Sequence, residues 1–451
     1  FFNAQEKIEE QVDKDVADIN GRAYNAILSI EGYDLVPQST LQSLIPPNIY
    51  DQLPDIVTSK ENLNGVEVKS ILAESLKGQF WASPAQVEKI DGGDDSRRMV
   101  PPTVGDESAA FLMMNRNKRG LSLDLKSEAG KAILVQLLKD ADCVIENFRH
   151  DTMERLGLSY ESLKEINPGL IYVEISGYGR TGPYRERAGF DLVAQGASGL
   201  MSITGPGKDN GPVKVGAPVT DITAGILAAM GAAAAYAGKQ VTGEGMRVDT
   251  SLFEAGITQT YWQSAIALAT GVSPEALGSA HPLNAPYQAF PTADGYINVG
   301  AANQRNWLRL LEVIEAMHLN NDPRFASNAD RMANLEALVA ELEPIFKSRT
   351  SGEWLQRLDA SGVPAGPILS INDMLKHPQA TARDMIVETD HATCGAVQGL
   401  GMAVKFHGTS NNPSKPPPKH GQPSREIVAE LGYTDDDIQS LYTSGVISTA
   451  E

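Results

Sequence analysis

From Leu121 onward, the apolar positions alternate between short continuous runs and helical stripes. SLDLK (122–126) reads as a short strand, Ser127 as a helix N-cap, and Ile133, Leu134, Leu137 and Leu138 then share one helical face. CVIENF (143–148) predicts the next buried strand. A helical stretch from Ser159 to Ile166 ends at Asn167-Pro168-Gly169, and LIYVEISGY (170–178) follows as a strand rich in β-branched and aromatic residues. After a Gly-rich loop, DITAGILAAMGAAAAYAG (221–238) predicts a helix, MRVDTS (246–251) a strand, and FEAGITQTYWQSAIALAT another helix. This alternation implies an α/β fold with a parallel sheet.

The texture changes at GSAHPLNAPYQAFPTADGYINVGA (278–301), where two short apolar runs flank Asp294-Gly295, a strong hairpin signal. A smaller α+β domain begins there, with helices predicted over Gln304–Met317 and Ser351–Ala360. The Pro-rich stretch 411–423 reads as a surface connection, and helices over Ser424–Leu431 and Thr434–Leu441 close the chain. Residues 1–62 differ from the rest: an acidic, helical beginning gives way to LVPQSTLQSLIPPNIYDQLPDIV, whose prolines break any long element. They read as an appended arm.

The chain has 451 residues, enough for two domains, and its net charge of −19 disfavours nucleic acid and anionic membrane as partners. Two cysteines, Cys143 and Cys394, fit a reducing compartment, cytoplasmic or an organelle matrix such as the mitochondrial one; a secreted protein is not expected. The longest apolar candidate, Ile226–Ala237, is short and Ala-rich, as a buried helix is, so a soluble protein is expected. The first stretch has neither the basic region of a secretory signal nor the Arg-rich character of a transit peptide. The seven histidines are scattered, with no two at ligand-pair spacing, so no metal is expected.

Two features suggest chemistry. Asp221 stands at the start of an apolar helix, where an aspartate can serve as N-cap or present a carboxylate. Arg116, Lys118 and Arg119 form the densest basic cluster in an acidic chain, either a solvated loop or a place for phosphates.

Ordered motifs then carry a resemblance. NRNKRGLSLDLKSEAGK (115–131), the stretch VIENFRHDTMERLG to GLMSITG (144–205), GAPVTDITAGILAAMGAAAAY (216–236), GEGMRVDTSLFEA (243–255) and HPLNAPYQAFPTADG (281–295) resemble the class III CoA-transferase family, which includes formyl-CoA transferase and carnitine CoA-transferase. The resemblance covers roughly Asp91 to Ile386. It implies an interlocked homodimer whose subunit has a Rossmann-like large domain, CoA-binding and built from both chain ends, with the smaller domain inserted. The chain then divides into the arm 1–62, the large domain 63–275, the small domain 278–375 and a return over 376–451.

By the same resemblance, Asp221 in PVTDITAG is the nucleophile, and CoA is held by Leu123, Asp124, Leu125, Lys126, Asn147, Phe148 and Arg155. Amides at the helix start are expected to keep Asp221 ionised. Gly278 to His281 fall near a loop that shields intermediates. The substrates implied are an acyl-CoA and a small carboxylic acid, with no permanently bound cofactor and a CoA thioester as substrate. Relatives that racemise α-methylacyl-CoA carry a histidine where this chain has Phe190, and phenylalanine exchanges no proton, which favours transfer. A catalytically impaired acyl-CoA-binding homologue is a further alternative, because the A-G-P segment and the strand ending in a glutamate before G-D-D are expected to be absent or altered here.

Overall fold

The computed structural model describes residues 84–207, 210–407 and 415–448. The appended arm and the strand expected in LNGVEV lie outside the described residues. Two units are distinguished, one of Met99–Arg119 with Asp384–Pro417, the other of Gln86–Arg98, Gly120–Arg383 and Pro418 onward.

The second unit opens with β1 (Ala85–Glu88), a strand that does end in a glutamate before GGDD, contrary to expectation. Its period-2 pattern is short, and the partner explains its persistence: β1 pairs with β2 (Arg119–Ser122). Glu88 is buried, and its carboxylate accepts from the backbone N–H of Asp94 at 2.9 Å and from Arg97 Nε at 2.7 Å and Nη2 at 2.9 Å. A two-pronged guanidinium contact of this kind satisfies a carboxylate that burial would otherwise penalise.

The strand expected over SLDLK ends early, at Ser122. Asp124 turns the chain by accepting from the Lys126 N–H at 3.0 Å, and Ser127 caps α1 (Glu128–Lys139) by accepting from Gly130 N–H at 3.0 Å. Local side-chain bonds to backbone thus outcompete the ladder. Next come β3 (Cys143–Glu146), the short α2 (Thr152–Arg155), α3 (Tyr160–Ile166) capped by Ser159, and β4 (Ile171–Ser176). Beyond a long loop lie α4 (Asp191–Ala197), α5 (Val219–Thr242), β5 (Arg247–Ser251), α6 (Leu252–Gln259) and α7 (Tyr261–Thr270).

Strands β3, β4 and β5 pair in parallel in that order, as the alternation predicts. Among the described residues β3 is an edge, so it is only half-buried, with Ile145 exposed, rather than the buried strand expected. Helix α5 packs Thr223, Ala224, Ala228 and Ala235 inward, the last two against β4 residues Ile171 and Val173. By length and composition alone it could cross a membrane. Yet most of its surface is open in the single chain, including Ile222, Ile226 and Met230, which corrects the expectation of a buried helix. The single helix expected over 253–270 is two, parted at Thr260, whose hydroxyl donates back to the Ile257 carbonyl at 2.8 Å.

The hairpin predicted around Asp294-Gly295 is present as β6 (Tyr287–Pro291) and β7 (Tyr296–Gly300), with β8 (Ala365–Pro367) on the far side of β7. Helices α8 (Gln304–Val313), α9 (Leu335–Phe346) and α10 (Ser351–Ala360) close a separate core on Phe290, Trp307, Phe346 and Trp354. The closing helices α11 (Ser424–Glu430) and α12 (Asp435–Thr443) return to the first core, where Ile427, Val428 and Ile438 meet Leu121, Ile133 and Tyr172. Within the Pro-rich stretch Lys415 and Gln422 are exposed while Pro417 and Pro418 are buried, and the Pro418 carbonyl accepts from Arg97 Nη2 at 3.1 Å. The other unit carries two antiparallel hairpins, Thr103–Val104 with Glu107–Ser108 and Ile386–His391 with Gly395–Leu400, around the helix Ala109–Met114.

Candidate active site

In open α/β sheets, ligands collect where loops leave the carboxyl ends of the strands. At that edge Glu146, Glu174 and Asp249 stand side by side in register on β3, β4 and β5. Directly opposed like charges destabilise a sheet, so this row needs cations. Arg180, from the Gly-rich loop after β4, supplies one: it pairs with Glu146, its Nε lies 3.0 Å from Glu174 Oε1, and its own N–H donates to Asp249 Oδ2 at 3.1 Å. Arg247 pairs with Glu174 from the other side. Even so, burial pushes the Glu146 and Asp249 carboxyls upward, with Arg180 opposing.

The same loop is closed at its neck. Gly177 and Gly189 cross so tightly that a Cβ built on Gly177 meets the Gly189 N at 2.7 Å, and one built on Gly189 meets the Gly177 Cα at 2.5 Å. Only glycine permits that approach. The crossing delivers Phe190 and Asp191 directly to the start of α5: Asp191 Oδ1 accepts from Thr220 N–H at 3.0 Å and from Thr220 Oγ1 at 2.8 Å, while Oδ2 accepts from Gln195 Nε2 at 2.8 Å. Asp191 thereby caps α5 from outside and fixes the residue before Asp221.

Asp221 itself is the third residue of α5, not its N-cap, and has no hydrogen-bond partner among the described residues. Its side chain remains open to solvent in the single chain, but lost hydration and then the Asp191 charge raise its pKa above the usual carboxylate value. Lost hydration and a second carboxylate thus act against the helix amides that are expected to favour its ionised form. Phe190, 76% exposed, occupies the position next to Asp191 and carries no titratable group.

The remaining candidates are dispersed along strand ends. Leu123 is fully buried in the core, and its backbone N–H donates to Glu88 O at 2.8 Å. Asp124 and Leu125 are half-buried and Lys126 is exposed. Asn147 and Phe148 are exposed after β3, and Arg155 on α2 is exposed with an ion pair to Asp151 at 3.3 Å. No hydrogen bond or ion pair among the described residues joins Asp221 to any of these. In the other unit, Arg116 has Nε and Nη1 buried without a hydrogen-bond partner among the described residues, whereas Lys118 donates to Asn115 Oδ1 at 2.8 Å. At the loop expected to shield intermediates, Gly278 has φ +63°, its N–H donates to Gly205 O at 2.9 Å, and the His281 ring packs on Tyr287 and Trp262. No cluster of three potential metal ligands occurs among the described residues.

Sequence reading missed Arg180. A signal existed: Glu146 and Glu174 sit inside apolar strand runs, and a carboxylate buried there requires a cation.

An α/β chain with this arrangement can be compared with known proteins. Residues 73–424 match CoA-transferase family III, and the chain belongs to that family, the class III CoA-transferases. An acyl-CoA transferase of Fusarium pseudograminearum (strain CS3096) is 38% identical over 382 residues, 82% of this chain and 84% of that protein. The succinyl-CoA:glutarate CoA-transferase of Homo sapiens is 35% identical over 376 residues, 83% of this chain and 85% of that one. The crystal structure of a CaiB/BaiF family protein from Brucella suis superposes with a TM-score of 0.67 at 37% identity, covering 77% of this chain and 92% of that one.

Proposed function

We propose that this chain moves CoA from an acyl-CoA to a carboxylic acid through covalent intermediates on Asp221. The observation that carries the reading is Asp221 itself: a carboxylate with no partner among the described residues, its neighbour Thr220 locked by Asp191, in a chain of this family. The Asp221 oxygen attacks the thioester carbonyl, the C–S bond breaks, and a mixed anhydride and CoA thiolate result. The thiolate attacks the aspartyl carbonyl and releases the donor acid, leaving an aspartyl-CoA thioester. The acceptor carboxylate expels the thiolate again, and the thiolate takes the acyl group of the new anhydride, restoring Asp221. Atoms and charge balance without ATP, and each activated acyl group must be kept from water.

Lys126 and Arg155 are assigned to the phosphates of CoA, Asn147 and Phe148 to the nucleotide end, and the backbone of Leu123, Asp124 and Leu125 to its edge. The strands β3–β5 are read as part of a Rossmann-like layer, and the open face of α5 and α7 as the seam of a homodimer. The printed name of the human relative makes succinyl-CoA and glutarate the first pair to try. Phe190, which cannot carry a proton, weighs against racemisation.

The test is mass spectrometry of the chain mixed with succinyl-CoA in the presence of hydroxylamine. A hydroxamate on the peptide containing Asp221 is expected; a folded protein that yields none with any of a panel of acyl-CoA esters favours the impaired homologue.

A pH profile gives a second test. The attacking form is ionised, so the rate rises with pH as Asp221 loses its proton, with an acid limb displaced upward from that of a free aspartate because burial and Asp191 disfavour the charge. Asp191→Asn keeps an acceptor for Thr220 but removes the repulsion, so the limb moves to lower pH. An unmoved limb removes Asp191 from the electrostatics.

A further inference from the structure

Phe148 presents a ring that is 45% exposed on a backbone held from both sides. Its N–H donates to Glu146 Oε2 at 2.7 Å, and its carbonyl accepts from Arg180 Nη1 at 3.2 Å. Glu146 and Arg180 are themselves ion-paired, each with a side chain only 4% exposed. One buried pair therefore grips both polar groups of a single surface residue.

Nothing about fold stability asks for that arrangement. A row of three acidic residues in register across parallel strands is unfavourable on its own, and apolar residues in the same places are generally no less stable than a buried ion pair. What the arrangement does supply is geometry. Arg180 leaves the loop whose neck is the Gly177–Gly189 crossing, and it reaches over the ends of β4 and β3 to the loop after β3. Its backbone N–H is tied at the same time to Asp249 on β5. Three adjacent strand ends and two loops are thus referred to one arginine, whose planar fork makes several directed contacts to β3, β4 and the loop after β3 that an ammonium cannot reproduce.

We infer that Arg180, with Glu146, is a positioning residue that pre-sets the Phe148 backbone so that its ring and the neighbouring Asn147 meet the nucleotide end of CoA without reorganisation. This rests on the reading of Asn147 and Phe148 as CoA contacts. Arg180 touches neither substrate nor Asp221 in this account; it acts through Phe148. The cost of fixing a loop is met during folding, and affinity rises because binding no longer carries it. Chemistry at Asp221, which is placed by the separate Asp191–Thr220 contact, is left alone.

The test uses the full chain and the variants Arg180→Lys and Glu146→Gln, with free CoA titrated calorimetrically and steady-state kinetics run on acyl-CoA and acid acceptor separately. Both variants are expected to raise the CoA Kd and the acyl-CoA KM about 10-fold, Arg180→Lys retaining charge but not the fork, while acceptor KM and kcat change by less than about threefold. A merely structural ion pair instead lowers kcat and shifts both KM values together, or leaves CoA binding unchanged, and either result overturns the clamp. Amide exchange on the wild-type protein is independent of whether the variants fold: a slow Phe148 N–H is expected, and a fast one ends the proposal. Wild-type protein that binds no CoA sinks the underlying assignment as well, whereas binding that is equal in all three proteins sinks only the clamp.

Discussion

Asp221→Asn is expected to abolish CoA transfer, with kcat down by at least about 10⁴-fold, while the protein folds and still binds CoA. The amide is nearly isosteric, and Asp221 makes no hydrogen bond that the fold needs. An amide cannot attack the thioester, so neither the anhydride nor the aspartyl thioester forms. The sign of the stability change is a further check. The folded-state pKa of Asp221 lies above its unfolded value, so the folding contribution of the group is fully present below the unfolded pKa and is lost as pH rises through the folded pKa. Near neutral pH the charge is therefore a burden, and Asp221→Asn should melt no lower than wild type. Inactivity with a lowered melting temperature points instead to a structural aspartate; retained transfer removes Asp221 from the mechanism. Substitutions that stabilise and inactivate together mark a group held in place for chemistry.

Why Arg180 was not legible in the sequence is a matter of range. The helix that carries Asp221 and the strands around it follow from local periodicity, and Ser127 announced its helix by capping chemistry that acts over three residues. The Asp294-Gly295 hairpin is equally local. By contrast, Arg180 meets Glu146 across 34 positions and Thr220 meets Asp191 across 29, and no periodicity encodes which polar residues converge over such separations. The early end of β2 was missed for a different reason: Asp124 and Ser127 offer the backbone side-chain partners that compete with a strand, and the apolar run masked them. The glutamate at the end of β1 was overlooked because only four residues form the strand, and its identity rests on pairing with β2 and on the Arg97 contact rather than on its own pattern.

Leu268→Asp is expected to break the homodimer proposed above into monomers, read by light scattering after size exclusion, with a lower melting temperature. Helix α7 has no buried residue in the single chain and no charged one; Leu268 is 89% exposed and Tyr261 72%. On α5, Ile222, Ile226 and Met230 recur every four residues, a ridge of the kind that packs into a facing groove. Large apolar side chains gathered on two helices are a surface that water does not favour, each worth about 1.5–3 kcal/mol on full burial. Charge-poor helices that are hydrophobic all round normally lie inside a protein, so α5 and α7 read as half of a core whose other half is a second copy. Because Leu268 touches little within its own chain, aspartate there costs the monomer fold little, yet an unpaired charge at a sealed interface costs several kcal/mol, weakening association by about 10³-fold or more. A Leu268→Asp protein that stays dimeric and melts like wild type moves the interface to another face, and Ile226→Asp then distinguishes whether α5 alone carries it.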